Sequence, residues 1–266
     1  MDGLAKELLQ LAAGLAVTAG AEITEMRADA IGSASTKSSP TDPVTAADRA
    51  AEAIVVEGIL AARPTDGIVG EEGAARDGSS GVTWHIDPID GTTNYVYGIP
   101  AYGVSVAAVA GSEVIAGAVF NPVLDELYLA SQGGGATLNG EAITASLCQD
   151  LPAALVATGF GYLADRRQRQ ASVVSALLPA VRDIRRIGSA ALDLCAVACG
   201  RVDAYFEAGL NSWDFAAGWL IASEAGAVCD NLADQDPTER FLLAAAPGVH
   251  TELTNLLREL KADAVL

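Results

Sequence analysis

Residues Trp84 to Pro100 read WHIDPIDGTTNYVYGIP, and this stretch restricts the fold more than any other. The preceding VTWHI has strand character and delivers Asp87 at its C-terminal end. Pro88 removes a backbone donor and fixes a turn, while Gly91 permits backbone shapes closed to other residues. Two carboxylates this close repel, so a segment built only for stability would avoid the combination. Asp87, Asp90 and the Ile89 carbonyl can converge on one point, the oxygen-rich arrangement that hard cations such as Mg²⁺ require. Gly91 also lets the amides of Gly91 and Thr92 turn toward an anion, especially where a helix starts. By itself, Asp-Pro-Ile-Asp is also explained as an Asp-Pro turn followed by a helix cap.

The elements around this stretch alternate. MDGLAKELLQLAAGLAVTAGAEI carries Leu and Ala at helical spacing and reads as an amphipathic helix. GSASTKSSPTDPVT, from Gly32 to Thr45, is a polar loop, and the sequence leaves open whether residues 33–45 form a mobile lid. Thr45 caps a helix that Pro64 ends. IVGEEG is a short strand closing on paired acids. YGVSVAAVAG, EVIAGAVF and LDELYLA form a meander, followed by a hairpin at Asn139-Gly140. The second half places strands at ALVATGF, IRRIG and VDAYFEAG. Its helices fall at RRQRQASVVSALLPAV, SAALDLCAVACG, WDFAAGWLIASEAGA and TELTNLLRELKADA. This predicts an α+β layered architecture, one domain over 1–266, with a metal-site half at 1–145 and an α/β half at 146–266.

With 51% apolar residues the chain has enough material for a packed core, and a net charge of −18 repels phosphate backbones. Nucleic acid is therefore not an expected partner. A small phosphorylated ligand remains compatible if cations or oriented amides reverse the local field. The four cysteines form no CxxC and read as reduced, buried thiols. No run of 18 apolar residues or cleavable leader is evident, so a cytoplasmic protein without a membrane partner is expected.

Other acids can join Asp87 and Asp90. Glu71 and Glu72 stand at a strand end, though as an isolated pair they are more readily explained as a solvated turn. Asp48 and Asp214 fall in first turns of helices, where the dipole favours a carboxylate anyway.

Taken together, GEE at Gly70 to Glu72, DPIDGTTN at Asp87 to Asn94 and WDFAAG at Trp213 to Gly218 resemble the three signatures of the inositol monophosphatase family. KSSPTDPVTAAD from Lys37 to Asp48 and IRRIGSAALDLC followed by GRVDAYFEAG extend the resemblance over nearly the whole chain. Tyr95 departs from the Phe common after DGTTN. The resemblance implies a layered α/β/α/β/α sandwich, a homodimer, lithium sensitivity and hydrolysis of a small phosphate ester with two or three Mg²⁺ per subunit. It assigns one ion to Glu71, Asp87 and the Ile89 carbonyl. A second falls to Asp87, Asp90 and Asp214, and a weaker third to Glu71 and waters. Asp48 and Thr92 would position and deprotonate an activated water, while Glu72 and Lys37 would support the metal ligands. Substrate contacts would come from Asp90, Gly91, Thr92, the Ala190 amide and Glu207.

Glu207 stands seven residues before Asp214 and suits a polyol, because a carboxylate accepts from two hydroxyls. It is also explained as a half-exposed strand acid. Inositol 1-phosphate is the expected substrate. The alternatives within the family are histidinol phosphate, fructose 1,6-bisphosphate, adenosine bisphosphate and NADP. A regulatory binding protein on the same fold is the reading from another class, since some bacterial relatives act in ribosomal-RNA transcription complexes. Such a module need not keep Asp48, Glu71, Asp87, Asp90, Thr92 and Asp214 together.

Overall fold

A computed structural model describes residues 2–30, 35–36 and 43–264. Lys37 and most of the proposed lid lie outside the described residues. The first helix, α1 (Asp2–Ala30), is followed by the paired short strands β1 (Ser35–Thr36) and β2 (Pro43–Val44), then α2 (Ala46–Ala62). The next elements are β3 (Gly67–Gly70), β4 (Ala75–Arg76), β5 (Val82–Asp90), α3 (Thr92–Tyr97), β6 (Gly103–Ala110), β7 (Glu113–Asn121), β8 (Glu126–Ser131), β9 (Ala136–Leu138) and β10 (Glu141–Ala142). The second half contains β11 (Leu155–Thr158), α4 (Ala164–Leu177), β12 (Asp183–Arg185), α5 (Ala190–Ala198), β13 (Ala204–Glu207) and α6 (Ser212–Glu224). It ends with β14 (Val228–Asp230), β15 (Leu242–Ala245) and α7 (Pro247–Glu259).

Two sheets organise these elements. Eight strands run in the order β10-β9-β8-β7-β6-β5-β3-β4, and five in the order β12-β11-β13-β15-β14. Helices α1 and α2 cover one face of the larger sheet, α5 and α6 lie between the sheets, and α4 and α7 cover the far side. This is the α/β/α/β/α sandwich. The stripe of Leu8, Ala12, Ala16, Ala19 and Ile23 on α1 is fully buried against the larger sheet. By length and composition α1 could cross a bilayer, but that stripe is part of the core. All four cysteines are free, and only Cys195 is fully buried.

The structure departs from the expected elements in four places, three of them with a physical cause. Asp87 does not end its strand: β5 runs through Pro88 to Asp90. It takes three steps from Asp87 to Asp90 against two on β6, from Ser105 to Gly103. The extra residue is a β-bulge, where a proline costs no ladder bond. Strands β14 and β15 have no counterpart among the expected elements, because four-residue apolar runs such as LLAA fit strand or helix alike. The last helix starts at Pro247 rather than Thr251, since proline is well placed at a first helical position. The short strand expected at IRRIG begins earlier, at Asp183.

Helix α6 approaches β7 closely because small residues meet there. A Cβ on Gly117 would stand 3.0 Å from Ala217 Cα and 3.1 Å from its carbonyl oxygen. Gly117→Ala should therefore lower stability by about 1–3 kcal/mol through overpacking. Urea unfolding measures this, and an unchanged midpoint would contradict the close packing.

Candidate active site

The bulge in β5 is what makes the site. In a regular strand, residues three apart point to opposite faces. The additional residue brings Asp87 and Asp90 to the same cleft. Strand β3 runs parallel to β5, pairing Gly70 with Ile86, so Glu71 emerges beside Asp87 at the same sheet edge. Asp214 arrives from the first turn of α6, whose start is tied to β5 by a 2.7 Å contact between Ser212 Oγ and His85 Nδ1. All four carboxylates line one cleft of about 2330 Å³, counting its open mouth.

Each aspartate is held by its own partners. Asp87 Oδ1 accepts from the Ile89 amide at 3.0 Å. Asp90 Oδ2 accepts from Ser189 Oγ at 2.7 Å and from the Ala191 amide at 2.6 Å. Asp214 Oδ2 accepts from the Asn211 amide at 2.7 Å, closing a capping box. Asp48 Oδ2 accepts from the Thr45 amide at 2.7 Å and its hydroxyl at 2.6 Å. Asp48 Oδ1 faces Thr92 Oγ1 at 3.2 Å, and the Ile89 carbonyl lies 3.0 Å from the same hydroxyl. One hydroxyl proton thus has two acceptors.

Gly91 has φ +95° and precedes α3, leaving the first amides of that helix without intrahelical partners. A Cβ there would stand 2.9 Å from the Ala101 carbonyl, so glycine is required twice over. Gly91, Thr92, Ala190 and Glu207 all line the cleft. Glu72 stands outside that lining, with its amide bound to Glu52 Oε2 at 2.8 Å.

The structure adds residues that sequence reasoning does not single out. Glu52 is buried and also accepts from the Ala74 amide at 3.1 Å, so it clamps the Glu71-Glu72 loop. Its position one turn after Asp48 on the same helix is the available signal. Ser189 and the Ala191 amide hold Asp90, and only their place at a helix start hints at it. Asn94 donates to the carbonyls of Ala101 at 2.7 Å and Ile187 at 2.9 Å, joining α3 to the segment that precedes α5.

The profile of the inositol monophosphatase family matches residues 4–262. The chain belongs to that family. It is 43% identical to the inositol-1-monophosphatase of Mycobacterium bovis over 97% of this chain and 95% of the relative. A relative named Nus factor SuhB, from Xylella fastidiosa, is 48% identical over 69% of this chain and 67% of its own. Among solved structures, the extragenic suppressor protein suhB of Bartonella henselae superposes with a TM-score of 0.90 at 32% identity, covering 95% of this chain and 99% of that one. The SuhB structure of Mycobacterium tuberculosis gives 0.83 at 42% identity, covering 96% and 97%.

Members of this family use divalent metal, and the donor chemistry here fits one. The cleft floor offers carboxylate and carbonyl oxygens without thiol or imidazole, the preference of hard cations. Among the described residues, no three acidic, imidazole or thiol side chains are drawn tightly enough together to enclose an ion. Their mutual repulsion is evident in their acidities. Burial, then the charges of Glu71, Asp90 and Asp214, push Asp87 well above the ordinary carboxylate range. Burial, then Asp90 and Glu71, do the same to Asp214. Burial raises Asp90 to about 6, although bonds from Ser189 and Ala191 hold it down. Burial raises Glu207 to about 7, against bonding from Tyr205 and attraction by Arg186. A divalent cation would remove that repulsion.

Raised carboxyl groups make the folded state bind more protons than the unfolded one, so stability falls as pH rises through the folded values. Asp90 and Glu207 place that fall between their ordinary values of 3.8 and 4.5 and their folded values of about 6 and about 7. The chelated protein should therefore melt lower at about pH 8 than at about pH 5, and Mg²⁺ should recover the loss at the higher pH. Thermal melts with and without chelator test this; a flat, Mg²⁺-independent profile would contradict it.

Proposed function

We propose that this chain is a Mg²⁺-dependent phosphomonoesterase whose substrate is inositol 1-phosphate. The observation that carries the reading is the convergence of Glu71, Asp87, Asp90 and Asp214 on one cleft beside Gly91 and Thr92. A repelling acid cluster with an adjacent turn of open amides suits a phosphate ester paired with cations. The relative named inositol-1-monophosphatase supports the same chemistry, and so does a solved neighbour described as inositol monophosphate bound.

Glu71, Asp87 and the Ile89 carbonyl would hold one ion, and Asp87, Asp90 and Asp214 a second. Mg²⁺ so held supplies Lewis acidity, a lowered water pKa and stabilisation of the leaving alkoxide. The chain's own groups do the rest. Thr92 Oγ1 takes a proton from the attacking water as its own proton passes to Asp48 Oδ1, 3.2 Å away. The Thr45 bonds to Asp48 Oδ2 keep that carboxylate aimed. Water oxygen bonds to phosphorus, the ester bond breaks, and the alcohol leaves with the proton it regains from solvent. The amides of Gly91 and Thr92 grip the phosphate, and Glu207 accepts from hydroxyls of the alcohol part.

The relatives named Nus factor SuhB favour a second reading, a regulatory binding protein. The joint presence of the acids and Thr92 favours the enzyme, since a binding module has no need of them. Phosphate release with and without Mg²⁺ on inositol 1-phosphate, histidinol phosphate, fructose 1,6-bisphosphate, adenosine 3′,5′-bisphosphate and NADP separates the readings. Mg²⁺-dependent preference for inositol 1-phosphate is expected; preference for another ester overturns the specificity, and no release from any overturns the enzyme. Asp90→Asn should lower kcat at least about a hundredfold with the melting temperature preserved. Near-normal turnover would remove Asp90 from the metal set.

A further inference from the structure

Five buried polar side-chain atoms among the described residues lack a hydrogen-bond partner, and three of them belong to residues lining the cleft: Arg166 Nε, Asp193 Oδ1 and Trp213 Nε1. Asp193 is the sharpest case. It lies in α5, is 1% exposed, and its Oδ1 meets no donor. Such an atom carries a large desolvation penalty unless something meets it there.

Helix capping does not fully account for it: the Gly188 amide bonds the same carboxylate, yet Oδ1 keeps no donor. Ser189 already accepts from the Leu192 amide, and Ala191 donates to Asp90. Nor does an ion pair: Arg186 is near enough to attract Asp193, yet Oδ1 stays without a partner. The other charges acting on Asp193 are Glu207 and Asp90, both repelling. Asp193 and Glu207 thus both line one cleft, as does Arg186, whose charge attracts both.

We propose that Asp193 is a second acceptor for the alcohol part of the substrate, pairing with Glu207 so that two hydroxyls of a polyol are each met by one carboxylate. Arg186 in the same wall disfavours an ammonium-bearing alcohol, whereas neutral hydroxyls satisfy both acids without adding positive charge. The inference rests on the phosphomonoesterase reading above and deepens its specificity.

The test is a double-mutant cycle of Asp193→Asn and Glu207→Gln, with kcat and KM measured on inositol 1-phosphate and on p-nitrophenyl phosphate, an ester without hydroxyls. Asp193→Asn should cut kcat/KM for the inositol ester about tenfold or more, mainly through KM, and leave the aryl ester within about twofold. The two losses should be non-additive on the inositol ester alone. Equal losses on both esters, no loss on either, or a wild-type preference for histidinol phosphate overturns the proposal. Asp193→Ala serves as the second variant, with melting temperature confirming its fold. If wild-type protein releases phosphate from neither ester, the phosphatase reading fails separately. Calorimetric titration of inositol 1-phosphate with Mg²⁺ into wild-type and Asp193→Asn protein then decides Asp193, and equal affinities overturn it.

Discussion

Mutual repulsion among clustered carboxylates is the constraint on which the rest of the structure depends. Glu71, Asp87, Asp90 and Asp214 share one cleft, and burial adds to the repulsion by disfavouring the charged forms of the three aspartates. Side chains under such stress would turn away from each other unless each were fixed separately. Each of the three aspartates therefore has its own donors: the Ile89 amide for Asp87, Ser189 and Ala191 for Asp90, and the Asn211 amide for Asp214. Glu52 fixes the loop that carries Glu71. Preorganisation of this kind lowers fold stability at a site whose charge protonation or a bound cation would relieve.

The layers explain how donors from distant parts of the chain reach one cleft. Parallel strands β3 and β5 end at the same edge, and helices α2, α5 and α6 point their first turns toward it. Because helix starts present free amides and favour negative charge, the acids sit where the scaffold already tolerates them. Helices α5 and α6 lie between the sheets, so their packing sets the position of Asp214, and of the amides on Asp90, relative to β5. Small residues such as Gly117 and Ala217 let that middle layer come close.

Much of this architecture is legible in the order of residues along the chain. Thr45 as a helix cap, the meander, the Asn139-Gly140 hairpin and the central helices follow from local chemistry, where residue type and period act over a few positions. The failures fall where local signals are weak. LLAA at β15 is buried between β13 and β14 and alternates nothing, so its partners rather than its pattern make it a strand. Pro88 argues for a turn and instead sits in a bulge, because only the pairing with β6 reveals the extra residue.

For the site the division is similar. The motif residues Asp87, Asp90, Gly91 and Thr92, with Glu71 and Asp214, stand out by residue type and spacing, since acids beside proline and glycine have few purely structural uses. Glu52, Ser189, Asn94 and Asp193 do not, because an acid or a small polar residue in a helix has many ordinary explanations. Their importance comes from what faces them across the fold, such as the Glu72 amide or the Asp90 carboxylate. By itself, the sequence determined the chemistry on offer, an oxygen-rich set of acids beside a glycine turn at a helix start. Only the tertiary structure decided which acids converge and which partners hold them, because burial, bulges and long-range hydrogen bonds are properties of the packed chain.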